Sequence, residues 1–329
     1  MQLGGNALFY KRVSWSDIDK EQYMAKITVK LETVTPLFLG GAEPRGEPEL
    51  RPPAFRGAMR YWLRATLGGV IGDSDLAGLH KLETKVFGST DAGSPIAIRL
   101  HGNLVPNTFD ILPHKPGSGR RKAYRESESI HLTISALRPI DEVVWKNACM
   151  AFNLAILFGG VGLRSRRGYG SLRIVETSAP NLVPITPIVL DEWSRHIKVV
   201  CLSAIKRANE LAVQNKVSPK NLPTGRTSFP CASTDSLIRI PEDLGATKSN
   251  ELLISLMSKM PQKQFLGGIK PRHSSPLWVR VIKADGEYRL LMCVLPNFKS
   301  DGDLAEMKKF LNASFPGTDI SIKGWNKNE

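Results

Sequence analysis

The order of predicted secondary structure constrains the fold of this chain more than any single motif. Apolar and polar residues alternate from Lys26 to Val34, which is the period of a half-buried strand. A helix, two strands, a helix and a strand follow, and the second half of the chain repeats this six-element order. The predicted elements are strands 26–34, 95–100, 130–137 and 169–175 with helices 54–67 and 141–158, then strands 235–240, 276–283, 287–295 and 318–323 with helices 248–260 and 302–313.

Each six-element series predicts an α+β fold of the ferredoxin-like type, also called RRM-like or βαββαβ. In this fold an antiparallel sheet carries helices on one face. The segments Ser94 to Arg99 and Ser275 to Arg280 both read Ser-Pro-apolar-apolar-apolar-Arg at the start of the second strand, which favours two such domains in tandem. The predicted division is an N-terminal extension at 1–23, a first domain at 24–180, and a second domain at 181–329 that begins with a long helix at 191–215.

A glycine- and arginine-rich stretch, residues 158–172, joins the second helix of the first domain to its last strand. It holds five glycines and three arginines and no acidic residue. Glycine lets a ligand approach the main chain, and guanidinium groups bind phosphate oxygens in pairs. The pattern favours a phosphate-binding loop over an ordinary connection with solvated arginines. The candidate residues are Gly159, Gly160, Arg164, Arg166 and Arg167, together with Tyr169, which is either a base-stacking residue or a core residue.

Three further groups of basic residues are candidates for binding phosphate. Arg56, Arg60 and Arg64 recur at helical spacing beside an apolar helix face, and no acidic neighbour is evident. We expect this stripe to form one positive surface with the glycine-rich stretch, although a solvated helix face is an equal alternative. Lys270 and Arg272 belong to a second basic segment. The basic loop at 115–125 is interpreted either as mobile surface or as a segment that grips nucleic acid.

Composition narrows the class of partner. The net charge of +14 indicates a polyanion, with nucleic acid preferred to a membrane. The longest apolar run, at 148–158, is too short to span a bilayer, and no signal peptide is evident. Four widely spaced cysteines without a CxxC pair predict neither a zinc site nor a disulfide framework and fit the reducing cytoplasm. Metal-ligand histidine spacing and a Walker motif are absent from the sequence, so we predict no metal or cofactor.

Two rival functions remain open at this point. A metal-independent ribonuclease needs a base that activates a 2′-hydroxyl, and His114, His131 and His273 are the candidates. An assembly module would instead use the positive charge only to meet acidic partner subunits. The preferred hypothesis is recognition of RNA, because the sequence contains many basic residues but no evident catalytic motif.

Several motifs resemble a known family. The run Gly-Leu-Arg-Ser-Arg-Arg-Gly-Tyr-Gly-Ser at 162–171 is similar to the glycine-rich loop of the RAMP superfamily, the RNA-binding proteins of CRISPR effector complexes. Four earlier segments resemble, more specifically, subunit one of the Cmr complex, the type III-B effector. They are Thr-Pro-Leu-Phe-Leu-Gly-Gly at 35–41, Glu-Leu-Arg-Pro-Pro at 49–53, Phe-Arg-Gly-Ala-Met-Arg-Tyr-Trp-Leu-Arg-Ala at 55–65 and Val-Phe-Gly-Ser at 86–89.

The resemblance implies a non-catalytic RNA-binding subunit that supports antiviral defence. It implies a position at the head of the complex, near the 3′ end of the guide RNA. The implied partners are guide RNA (CRISPR RNA), target RNA, and the neighbouring head and backbone RAMP subunits. A guide-processing endoribonuclease of the same superfamily is the alternative. The resemblance does not extend to residues 1–23 or to the basic loop at 115–125.

Overall fold

A computed structural model describes residues 25–43, 45–117, 119–224, 226–270, 272–297 and 301–326. The predicted extension at 1–23 lies outside the described residues. The first half of the described chain contains β1 (Lys26–Thr33), α1 (Pro52–Ile71), α2 (Leu76–Phe87), β2 (Ile96–His101), β3 (Pro106–Asp110), β4 (Arg120–Tyr124), β5 (Ser129–Ala136), α3 (Glu142–Leu157) and β6 (Leu172–Thr177). The second half contains α4 (Glu192–Gln214), β7 (Leu237–Arg239), β8 (Gly245–Ala246), α5 (Ser249–Ser258), β9 (Gly268–Ile269), β10 (Arg272–His273), β11 (Leu277–Ala284), β12 (Glu287–Val294) and α6 (Asp301–Ser314).

The first sheet has one buried face and one outer face. Its strand order is β2-β5-β1-β6, and every neighbouring pair is antiparallel. Ile27, Val29 and Leu31 of β1 are at most 2% exposed and belong to a core shared with α1 and α3. This is the alternation expected of an antiparallel sheet with one solvated face. The mixed α+β class with antiparallel sheets is thereby confirmed.

The second sheet is buried on both faces. Its strand order is β11-β12-β7, with β8 beside β12. Val279 and Val281 of β11 pack with α5 and α6, whereas Trp278 and Ile282 belong to the core that contains α1, α3 and α4. The chain therefore forms four layers: the first sheet, a helical layer, the second sheet and a second helical layer. Double burial explains why β11 is almost continuously apolar.

The first half contains two features that the sequence prediction missed. Helix α2 follows α1 in a stretch where no element was predicted, and its N-cap Asp75 accepts a hydrogen bond of 2.8 Å from the Gly78 amide. The basic loop at 115–125 is not mobile surface throughout, because β4 pairs with β3 in a hairpin. Ala123 and Tyr124 at the end of β4 are at most 8% exposed. The alternation over these five residues is too short to predict a strand.

Two further predictions concern the second half. In place of the strand predicted at 318–323, the described residues have isolated bridge positions at Asp319, which pairs with Arg239, and at Lys323. Helix α4 agrees closely with the predicted long helix and packs against α3 and α1. The domain boundary at 180/181 stays a prediction.

A buried arginine links the second sheet to the first half of the chain. Arg280 of β11 is 1% exposed and donates to the carbonyls of Leu157, at 3.0 Å, and Leu172. Its guanidinium also lies over the Trp193 ring, 5.9 Å from the centroid. Leu157 ends α3, so the cation lies at the negative end of the helix dipole. Burial lowers the pKa of Arg280 to about 9.

We expect acid to weaken the fold through His196 on α4. Burial, followed by the charge of Arg280, lowers the pKa of His196 from 6.5 to about 4. Between pH 4 and pH 6.5 the unfolded chain binds a proton at His196 that the folded chain does not. The contribution of this residue to the free energy of unfolding is therefore fully present above pH 6.5 and is lost as the pH falls toward 4. For this partly exposed ring we expect a loss of about 1–2 kcal/mol near pH 5. Urea unfolding near pH 7 and near pH 5 tests this; His196→Gln should lose less, and an equal loss would contradict the assignment.

Candidate nucleic-acid interface

The glycine-rich stretch is bonded to both halves of the chain. Its Gly168 amide donates to the carbonyl of Val279 on β11 at 2.9 Å. On the other side the Thr35 hydroxyl donates to the Gly168 carbonyl at 2.7 Å. The Val281 amide donates to the Ser171 hydroxyl at 3.0 Å. The stretch is therefore a fixed part of the contact between the two halves of the chain, and it holds its arginines in defined positions.

At the two ends of this stretch, glycine is required because neighbouring atoms pack too closely for a side chain. Gly159 and Gly160 are buried, and a Cβ at Gly159 would lie 2.5 Å from Nε1 of Trp62. Gly170 has a φ of +64°, and a Cβ there would overlap the carbonyl of Val161. The main chain at Gly159 and Gly160 is closed to a ligand, which corrects the expectation that they form part of a phosphate cradle.

The three arginines line an open groove, which we call the arginine groove. It has a volume of about 700 Å³ and lies between the turn at 164–167 and the segment at 261–275. Among the described residues its lining contains no carboxylate. Its cationic and titratable lining residues are Arg164, Arg166, Arg167, Lys263 and His273.

Two of these arginines also make contacts that stabilise the walls of the groove. Arg166 lies over the ring of Trp278, 4.6 Å from its centroid, and over that of Tyr61 at 5.3 Å. Arg167 donates to the Leu266 carbonyl at 2.9 Å and is half-buried. Burial, with the nearby charges of Arg164 and Arg166, lowers the pKa of Arg167 to about 10. A polyanion in the groove would relieve this repulsion between like charges.

The second half of the chain supplies the opposite wall of the arginine groove. Residues 252–284 contain six basic residues and no acidic residue. Lys270 and Arg272 are exposed on the β9–β10 hairpin, and Gly268 and His273 of the same hairpin line the groove. The hairpin that carries Lys270 and Arg272 therefore lies beside the arginines of the glycine-rich stretch.

A second groove lies where the stretch begins its turn, at Gly162 and Leu163. It measures about 560 Å³ and adjoins the first turn of α1 and the β4 strand. Lys122 pairs there with Glu47, and Arg51 lies 4.0 Å from Glu49. Exposed ion pairs of this kind are worth little, so phosphate can replace the carboxylates. The basic residues that line this second groove are Arg45, Arg51, Arg121 and Lys122.

The arginine stripe on α1 is not part of either groove, which corrects the expectation of one continuous surface. Arg56 donates to the Ser94 hydroxyl at 2.6 Å, toward β2. Arg60 and Arg64 both pair with Glu83 of α2, at 3.4 and 3.0 Å. The stripe thus has an acidic partner, which belongs to the helix that the sequence prediction missed.

Tyr169 is a core residue. It is 1% exposed, its hydroxyl donates to the Asp110 carbonyl at 2.8 Å, and its ring meets Phe38 edge-on at 5.0 Å. Of the two interpretations of Tyr169, the structure supports core packing and corrects the assignment as a base-stacking residue.

Tyr169→Leu tests this placement, because leucine is apolar but cannot stack on a base. We expect the variant to lose about 2 kcal/mol of unfolding free energy and to keep its affinity for RNA. Chemical unfolding and filter binding on the folded variant measure the two quantities. A stacking residue would instead lose about 1–3 kcal/mol of binding free energy.

Lys263, Arg45 and Arg51 were missed by the sequence prediction. For Lys263 a signal existed, because it lies inside the long stretch without acidic residues at 252–284. Arg45 and Arg51 had no such signal, since Glu47 and Glu49 lie between them in the sequence. Only the fold places these two arginines beside the glycine-rich stretch.

The three histidines considered as catalytic bases lie in separate parts of the fold. His131 is on β5 in the first sheet, His273 is on β10, and His114 lies between β3 and β4. No cluster of histidine, cysteine or carboxylate side chains that could hold a metal ion occurs among the described residues. In the same part of the chain, no helix has the length and apolar character needed to cross a membrane.

Comparison with known proteins identifies the relatives of this chain. Residues 30–173 match the RAMP superfamily. The chain is 29% identical over 218 residues to the CRISPR system Cmr subunit Cmr1-1 of Pyrococcus furiosus, covering 60% of this chain and 62% of that relative. It is 28% identical over 174 residues to Cmr1-2 of the same organism, covering 44% of this chain and 92% of that relative. The chain thus spans less than two thirds of the Cmr1-1 relative.

Two solved structures of Cmr proteins have a fold similar to that of this chain. The crystal structure of Cmr1 from Pyrococcus furiosus in its apo form superposes with a TM-score of 0.63 at 23% identity, over 92% of this chain and 100% of that one. A chain of the type III-B Cmr-beta complex, determined by cryo-EM with cognate target RNA, AMPPnP and ssDNA, gives 0.60 at 12% identity, over 88% and 100%. The family match and the two Cmr1 relatives confirm the resemblance to the RAMP superfamily and to subunit one of the Cmr complex, and the solved structures support the fold alone.

Proposed function

We propose that this chain, whose residues 30–173 match the RAMP superfamily and which resembles Cmr1, is a non-catalytic RNA-binding subunit of a type III-B CRISPR effector complex. It binds guide and target RNA through the arginine groove and contacts the neighbouring head and backbone subunits. Its place is at the head of the complex, near the 3′ end of the guide RNA, in the cytoplasm.

One observation carries this proposal. Two segments without acidic residues, 158–172 and 261–275, face each other across the arginine groove. Phosphate is the partner that such a lining favours, because guanidinium and ammonium groups without carboxylates gain most from a polyanion. The net charge of +14 adds long-range attraction for RNA.

We further propose that each half is a ferredoxin-like domain. In the first sheet the four predicted strands lie in the order second, third, first, fourth. In the second sheet β11, β12 and β7 take the first three of these places, and the bridge at Asp319 takes the fourth. The common order supports duplication of one unit.

The proposal assigns no cleavage to this chain. A ribonuclease of this kind needs a base and a second group around one 2′-hydroxyl. Of these three histidines, His273 lines the arginine groove, His131 lines a separate groove on the first sheet, and His114 lines neither, which favours binding over cleavage.

Incubation of the purified chain with labelled repeat RNA in excess chelator tests the assignment. We expect retention of the RNA on a filter and no discrete cleavage products. Products of defined length would favour the guide-processing endoribonuclease. No retention, with salt-sensitive binding to partner subunits, would favour the assembly module.

A further inference from the structure

An exposed apolar patch covers the first turns of α4 and the segment before it. Ile185, Ile188, Val189, Val199 and Leu202, here called the α4 patch, are 42–64% exposed. Ile185, Ile188 and Val199 line a groove of about 500 Å³ between the segment at 185–188 and the helix. Val189 follows Ile188 directly in the chain, and Leu202 lies one turn beyond Val199 on α4. Single exposed apolar side chains are ordinary, but a contiguous set marks a surface that another molecule covers.

The backbone beneath this patch is held in place. The Ile174 amide donates to the Thr186 hydroxyl at 2.9 Å, and the Thr186 amide donates to the Ile174 carbonyl at 3.0 Å. The Asp285 amide donates to the Ile188 carbonyl at 2.8 Å. Thr186 itself is only 5% exposed. The outward position of the neighbouring apolar side chains is therefore a fixed feature of the fold, and little ordering entropy is lost when a partner covers them.

Charged side chains of both signs border the apolar centre. Arg195, Lys198 and Lys206 are exposed on α4, and among the described residues no carboxylate lies within ion-pairing distance of them. Near the start of the helix, Glu192 lines the groove, and the exposed Asp285 accepts a hydrogen bond of 3.1 Å from the Leu190 amide. Phosphate contacts do not account for the apolar centre, so RNA alone is a poor occupant. The arrangement is that of a protein interface with an apolar core and a charged rim.

We propose that the α4 patch docks a partner protein that presents apolar side chains together with carboxylates facing Arg195, Lys198 and Lys206. A second copy of this chain would bring a net charge of +14 against the first, which disfavours self-association. The inference rests on the proposed function for its partner, which is an acid-rimmed protein subunit of the effector complex. It adds to that function a second surface, distinct in chemistry from the arginine groove.

Co-expression of the full chain with the other subunits of the effector complex and guide RNA tests the α4 patch. We expect Ile188→Asp combined with Val199→Asp to lower incorporation into the purified complex at least about tenfold. Val213→Asp is the matched control, because Val213 is 65% exposed on the same helix. Since Val213 lies 11 residues beyond Leu202, it is about 16 Å farther along the axis. Thermal melts and RNA filter binding of each isolated variant should equal those of the unmodified chain.

Charge reversal supplies the second arm. Arg195→Glu with Lys198→Glu should weaken incorporation, and raised salt should weaken incorporation of the unmodified chain. Normal incorporation of the Asp variants would overturn the proposal that the α4 patch is a docking surface, and it would leave the proposed RNA-binding function standing. A homodimer of the isolated chain that the Asp variants abolish overturns the proposed partner. Failure of the unmodified chain to enter the complex contradicts the proposed function and, with it, this inference.

Discussion

Removal of three cations from the arginine groove and its edge should reduce affinity for single-stranded RNA about 10²–10³-fold at physiological salt. The changes are Arg164→Ala, Lys263→Ala and Arg272→Ala. On a single strand each lost phosphate contact removes about 0.7 unit from the slope of log affinity against log salt, so the slope should fall by about two. Filter binding over a range of salt concentrations measures both quantities.

The choice of these three residues follows from the contacts in the groove. Arg166 lies over Trp278, and Arg167 donates to the Leu266 carbonyl. Their replacement would loosen the junction between the halves as well as remove charge. Arg164 and Lys263 line the groove and Arg272 is exposed beside it, so their replacement changes charge with the least effect on packing.

A matched control removes the same charge elsewhere. Arg64, Arg99 and Arg138 are exposed, and their triple replacement by alanine also lowers the net charge by three. We expect this variant to lose less than about tenfold in affinity, through the long-range field alone. Equal losses in the two triple variants would mean that RNA responds to net charge and not to the arginine groove.

Arg280→Ala should give the largest loss of stability. The change leaves the carbonyls of Leu157 and Leu172 buried without their donor and opens a cavity beside Trp193. We expect a loss of about 3–5 kcal/mol in the free energy of unfolding, measured in urea.

Arg289→Ala is the control for Arg280→Ala. Arg289 lies on the neighbouring strand, and its guanidinium pairs with Glu287 at 2.9 Å near the surface. Pairs of this kind contribute less than about 1 kcal/mol. Similar losses in the two variants would show that the buried guanidinium is not a major link between the halves.

The strands that alternate over eight residues are the part of the fold that sequence predicts best. β1 and β5 each place every second side chain in the core, so their period of two is legible without the structure. The hairpin of β3 and β4 has five residues in each strand and a mostly exposed pattern, so the same signal is too short to use. Its basic residues were therefore interpreted as a loop, although they border the second groove.

Pairing between distant residues limited the prediction of the site. The sequence shows no acidic partner for the arginine stripe on α1, because Glu83 lies on another helix. It predicts an open main chain at Gly159, because the neighbouring side chain of Trp62 is almost a hundred residues away in sequence. Composition did predict the arginine groove in part, because the segments that form its two walls, 158–172 and 261–275, contain no acidic residue.

A crosslinking map of the reconstituted complex with photoreactive guide and target RNA tests the central claim most directly. The account predicts crosslinks to peptides from 158–172 and 261–275, the two walls of the arginine groove. Crosslinks confined to other surfaces, such as the outer face of the first sheet around Lys30 and His131, would contradict it.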